Sequence, residues 1–200
     1  VALLSLPVLA GEVIGTTRFV GVQTGSDANP GTQESPYRTI GGALDGLTQE
    51  GAAVPWTISI GPGTYDETVE TFPIPLATDG VQLVGESKET SIIDGGGAAS
   101  AAGPLLTGSG VSDFLISGLT FQNTARTGGT DNGGAIELLN SSGTVQDCAF
   151  TNNACERAGG ALWISVATGE QLRLAENTFT GTTTGLTGTF QDRFSGAVCV

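Results

Sequence analysis

The chain has 200 residues, 32 of them glycine, with no methionine or histidine, and its 20 acidic against 7 basic residues give a net charge of −13. Seven scattered Lys/Arg cannot make the basic footprint of a nucleic-acid binder or a polybasic membrane surface, and without histidine there is no Ser-His-Asp triad or histidine metal site. So much Gly and Thr opposes a helical bundle, and 38% hydrophobic with only 14% charged residues excludes a disordered chain.

The first segment, residues 1–15, begins with the apolar, uncharged run Val1–Ala10 (VALLSLPVLA). It is too short to cross a bilayer, so no transmembrane span is expected. Two readings stay open. The run is the remnant of a secretory signal, with Val8-Leu9-Ala10 as a small-residue cleavage site. Alternatively it is a strand whose Val1, Leu3, Leu4, Leu6 and Val8 pair with a neighbouring subunit. Both imply export, so a secreted, extracellular or cell-surface location is expected. Residues 16–200 are expected to form a single domain.

Phe19-Val20-Gly21-Val22 reads as a short strand, followed by the turn-rich Gly25–Thr32. Ile40, Ala43, Leu44 and Leu47 then make one apolar helical face, with Thr39 as N-cap. Trp56, Ile58 and Ile60 alternate as a strand that ends in the Gly61-Pro62-Gly63 turn. Val81–Val84, Ser91–Asp94 and Leu105-Leu106 continue as strands, with residues 95–104 as a small-residue excursion.

From Asp113 onward the chain repeats. Phe121, Phe150 and Phe179 are 29 residues apart, as are Ile116, Val145 and Leu174, and also Gly118, Asp147 and Glu176. A second signature recurs as Gly133–Ile136, Gly159–Leu162 and Ser195–Val198, at spacings of 26 and 36, so the stretch between the two varies in length. Ile136 and Leu138 alternate with Glu137 and Leu139, as Leu162 and Ile164 do with Trp163. No single repeat can bury its apolar face, and stacking buries a continuous column with the three phenylalanines inside. Asn123 and Asn152 fall where a turn needs left-handed backbone. Residues 124–132, 153–158 and 182–194 are expected to be loops on one face. The fold expected is all-β, a right-handed parallel β-helix with a short N-terminal capping helix.

Gly196–Val200 reads as a strand, and Val198 and Val200 would lie on an edge that pairs with another chain or continues into further sequence. Cys148, Cys155 and Cys199 have no metal-site spacing; at most one disulfide is expected, with Cys148–Cys155 the conceivable bridge. Asn140-Ser141-Ser142 fits the N-glycosylation acceptor pattern.

Phe19-Val20, Gly25-Ser26-Asp27, Asn29–Thr32, Pro36–Ile40, Ala43-Leu44 and Gly61–Tyr65 together resemble the N-terminal part of pectate-lyase-like β-helix proteins, over most of residues 17–95. Gly133–Ile136, Phe150–Asn153 and Gly159–Leu162 resemble the repeats of polymorphic outer-membrane proteins, which implies a cell-surface adhesin with a β-helical passenger. Leu119–Ala125 (LTFQNTA) is similar to a stretch of pectin methylesterases, but the catalytic motifs of that family are missing downstream.

Among carboxylates, Asp147, Glu176 and Glu137 could act as acid and base or hold Ca²⁺ through oxygen ligands, with Asp131 as a further calcium candidate. A solvated acidic face is the competing reading. Arg126 and Arg157 could clamp an anionic sugar, or simply balance surface acids. Trp163, outward in this register, could be a sugar platform or a protein contact, or pack beneath the 182–194 loop. The function expected is an extracellular structural or adhesive β-helix protein that self-associates into filaments or a surface layer, or binds cell-surface partners. The alternative is a polysaccharide lyase or hydrolase working on the loop face. No cofactor is expected beyond a Ca²⁺ ion.

Overall fold

Strands of two to four residues cannot bury their own apolar faces. In the computed structural model, which describes residues 17–50, 55–97, 103–126, 132–184 and 198–199, they do so by stacking. Each coil contributes one strand to each of several parallel sheets. The first sheet consists of β1 (Thr17–Val20), β2 (Thr57–Ile60), β5 (Gln82–Gly85), β8 (Phe114–Ser117), β12 (Gly143–Gln146) and β16 (Leu172–Ala175). The second consists of β3 (Gly63–Tyr65), β6 (Ser91–Asp94), β9 (Thr120–Gln122), β13 (Ala149–Thr151) and β17 (Thr178–Thr180). The third consists of β4 (Ile74–Leu76), β7 (Leu106–Ser109), β11 (Ile136–Leu139), β15 (Leu162–Ile164) and β19 (Val198–Cys199). The result is the expected right-handed parallel β-helix, of about four turns.

Inward side chains form columns along the axis. Leu83, Ile116 and Val145 are register partners on the first sheet and fully buried. On the second sheet the rings of Phe121 and Phe150 stack at 5.3 Å, and those of Phe150 and Phe179 at 5.0 Å, both within 9° of parallel. Leu174 continues the first column on the last strand of its sheet and is 37% exposed.

The corners repeat as strictly as the strands. Asn123 and Asn152, followed one coil on by Gly181, have φ of 57°, 54° and 63°, the left-handed geometry expected of them. Gly118, Asp147 and Glu176 form a second such column, at 66°, 48° and 56°.

The cap is helix α1 (Ile40–Glu50), which lies against β1, β2 and β4. Ile40, Ala43, Leu44 and Leu47 are its buried face, and Thr39 is its N-cap, its Oγ1 accepting from Gly42 N–H at 2.8 Å. The segment Gly31–Tyr37 closes the outer edge of β1. Phe19 N–H donates to Gly31 O and Tyr37 N–H to Phe19 O, both at 2.9 Å. No helix among the described residues is long and apolar enough to cross a membrane.

Two expectations change, and one falls largely outside the described residues. The stretches 124–132 and 153–158 are not simply loops: each opens with a two-residue strand. Those strands, β10 (Ala125–Arg126) and β14 (Ala154–Cys155), form a fourth ladder with β18 (Thr183–Thr184). Cys148 and Cys155 are not bridged; both are free and buried. Val1, Leu3, Leu4, Leu6, Val8 and Val200 lie outside the described residues, whereas Val198 pairs with Leu162.

Burial pushes the Cys148 thiol up to about 12 and raises that of Cys155, so neither supplies a reactive thiolate. In a Cys199→Ser variant, a thiol reagent at about pH 8 should modify neither cysteine of the folded chain and both after unfolding. Modification without unfolding would contradict this burial.

Candidate functional site

The outward positions of the first sheet are free of the core's demands, and four of the six on β8, β12 and β16 are polar. Leu115, Thr144 and Arg173 share one register column, and Ser117, Gln146 and Ala175 the next. Arg173 Nη1 donates to Gln146 Oε1 at 2.9 Å, which links the last two coils. Gly143 has no room for a side chain: a Cβ there would sit 2.4 Å from Phe114 O. The rim is formed by residues 169–171. Ser142 Oγ lies 3.2 Å from Glu170 Oε2, and Gly143 N–H donates to Gln171 O at 3.1 Å. Together these strands and the rim enclose an open groove of about 760 Å³. It runs across β8, β12 and β16, so it repeats similar positions at the roughly 4.8 Å strand spacing. Thr144, Gln146, Gln171 and Arg173 offer hydrogen bonds along it, and Asp113 and Glu170 line it as well.

A second cluster forms where the third and fourth sheets meet. Arg126 was expected at the surface, but it is 7% exposed. Its guanidinium donates to Glu137 Oε2 at 3.2 Å, to Gly133 O at 3.1 Å and to Asn132 O. All three contacts fall on Nη1, and they make the side chain an internal brace for the turn into β11, because a buried guanidinium is costly without acceptors. Glu137 is the register neighbour of Trp163. Trp163 faces outward as expected and is half-buried, while Arg157 is exposed.

Of the three candidate carboxylates, Asp147 and Glu176 stay in one column and Glu137 lies apart from them. Asp147 and Glu176 hold left-handed corner positions between the first and second sheets, one coil apart, whereas Glu137 projects from the third sheet. Asp147 accepts from Lys88 Nζ at 2.5 Å, an exposed pair that adds little to stability. Among the described residues no three Asp, Glu or Cys side chains gather as a metal site; Asp131 lies outside them.

Two buried polar residues escaped the sequence reading. Asn153 is fully buried; its Nδ2 donates to Phe121 O at 2.9 Å and its Oδ1 accepts from Thr124 Oγ1 at 3.0 Å. Its place one residue after the corner Asn152 was the available signal. Glu70, 4% exposed, accepts from the Ile40 and Gly41 amides of α1 beside a cavity of about 710 Å³. Burial pushes its carboxyl up to about 7, against the pull of those amides and with help from the charge of Asp27. No motif connects residues 30 apart in this way.

A family model described as "Protein of unknown function (DUF1565)" matches residues 23–197. The chain is also similar to the uncharacterized protein YwoF of Bacillus subtilis, 37% identical over 103 residues. That match takes in 50% of this chain and only 20% of the relative, so the chain spans about a fifth of that protein's length. A rhamnogalacturonan lyase structure aligns over 85% of this chain and 51% of its own, at 16% identity and a TM-score of 0.41.

Proposed function

The chain belongs to the DUF1565 family, whose description names no activity, and from that premise we propose that it is an extracellular adhesive β-helix that holds an extended, uncharged polysaccharide without cleaving it. The observation that carries this reading is the groove across β8, β12 and β16, where hydrogen-bonding side chains stand on two successive coils, Thr144 and Gln146 on β12 and Arg173 on β16, beside Leu115 on β8. A polymer of repeating units fits a surface of repeating donors and acceptors. Amides and a guanidinium can each both orient and hold hydroxyl groups. The net charge of −13 favours a neutral chain over a polyanionic one.

The carboxylates weigh on the same side. Glu137 is tied to Arg126, Asp147 is paired with Lys88, and Glu137 is on a different sheet from Asp147 and Glu176. A glycosidase needs two carboxyl groups facing one bond, roughly 5–10 Å apart; Asp147 and Glu176 are the one stacked pair among the three, and Lys88 occupies Asp147. A filament built by continuing the first sheet from copy to copy would need both of its edges open. At the N-terminal end the edge of β1 is closed by Gly31–Tyr37, which supports adhesion through the side of the solenoid.

The test is retention and calorimetry against neutral and acidic polysaccharides, with product release followed in the same samples. Arg173→Ala combined with Gln146→Ala should weaken binding of a neutral glycan about tenfold or more, the scale of losing a charged hydrogen bond. Asp147→Asn and Glu176→Gln should bind as the parent does. Equal binding by the Arg173/Gln146 variant would overturn the groove. Product release that disappears in Glu137→Gln or Asp147→Asn would establish a lyase or hydrolase instead.

A further inference from the structure

One buried carboxylate joins the cap to the first coil. Glu70 lies between β3 and β4, and its oxygens accept from the first two amides of α1, Ile40 and Gly41, the latter at 3.3 Å. The neighbouring amides are served from elsewhere. Thr39 Oγ1 accepts from Gly42, and Asp27 Oδ1 accepts from Thr39 at 2.9 Å and Arg38 at 3.0 Å. The titratable groups around Glu70 are Asp27, from the segment between β1 and α1, Tyr37 just before the helix, Asp45 on α1, and Tyr65 on β3. None of them is a cation, and among the described residues no lysine or arginine lines the cavity that Asp27, Tyr37 and Asp45 share with Glu70.

We propose that Glu70 is a proton-operated clasp, which holds the cap helix on the first coil when protonated and loosens it on ionisation. A buried carboxylate beside Asp27 is opposed by lost hydration and by like charge, and two helix amides offset this only in part. The protonated carboxyl keeps Oε1 as the acceptor of Ile40 N–H, gives up only the longer contact of Oε2 with Gly41 N–H, and has no charge to bury. The elevated Glu70 pKa, about 7 against an ordinary 4.5, agrees with that geometry. Because the folded value lies above the unfolded one, the stabilisation is complete below about 4.5, declines as pH rises, and is gone above about 7. The clasp is independent of the groove and of what the groove binds.

The test is amide exchange of Ala43, Leu44 and Leu47 in the full chain, corrected for intrinsic rates, at about pH 5 and about pH 8. Helix opening should rise by roughly tenfold to a hundredfold across that range, because it covers most of the window between the unfolded and folded values of Glu70. Glu70→Gln keeps an acceptor and cannot ionise, so its opening should be independent of pH and close to that of the parent at pH 5. A carbon-detected titration of the Glu70 carboxyl supplies a readout that needs no variant. The same pH response in Glu70→Gln, or a titration midpoint at an ordinary glutamate value, would overturn the proposal.

Discussion

Phe150→Ala is expected to lower stability by about 3–5 kcal/mol, the cost of opening a large unrelaxed cavity in a core. Phe150 is the middle ring of the stack, fully buried, with Phe121 on one side and Phe179 on the other. Its removal breaks two ring contacts and leaves a void that strands held in ladders on both sides cannot collapse to fill. Coils in a solenoid touch only their neighbours, so the loss falls on the interfaces of one coil rather than on the whole domain. The chain contains two tryptophans, and they report on opposite ends. Trp56 sits next to β2 near the cap, and Trp163 lies in β15. In urea, the fluorescence change of a Trp163-only background should move to lower denaturant in Phe150→Ala, while that of a Trp56-only background moves less. A common shift of both probes would show that the coils unfold as one unit and that the nearest-neighbour picture does not hold here.

Asn153→Ala is expected to cost about 2–4 kcal/mol, although the side chain is small and polar. Its amide is the partner of the Phe121 carbonyl and of the Thr124 hydroxyl, all within buried surroundings. Alanine removes the partner and leaves those groups without water, and each buried unsatisfied group costs about 1–3 kcal/mol. Asn153→Asp should be worse near neutral pH, because it sets a buried charge against a carbonyl oxygen that needs a donor. That variant should regain stability as pH falls, since burial raises a carboxyl's pKa and protonation removes the charge. Urea unfolding at two pH values reads both effects. An Asp variant no less stable than the Ala variant at neutral pH would mean that water reaches this position.

Where burial and backbone geometry select the residue, the sequence was readable. The 29-residue step from Phe121 to Phe150 to Phe179 became a ring stack, because stacked coils put the same demand on the same position. Asn123 and Asn152 were readable as corners because few side chains accept left-handed backbone. The apolar face of α1 and its Thr39 cap were readable because helix periodicity and capping act within a few residues.

Other features depend on distant parts of the chain meeting. The fourth ladder has strands of two residues, too short for any alternation to register. Asp147 and Glu137, both candidate acid–base groups, are ten positions apart, and a coil turns the chain from one sheet to another in that distance. Arg126 looked like surface charge until the turn at 132–134 folded its carbonyls over the guanidinium.

The sequence by itself determined the solenoid, its period, its cap and its corners, because each of those follows from local periodicity repeated coil after coil. The tertiary structure alone decided the groove on the first sheet, the burial of Arg126 and the contact of Glu70 with α1. Outward side chains are not constrained by the core, and a charge's environment is set by whichever segment packs over it. Neither leaves a periodic trace in the chain.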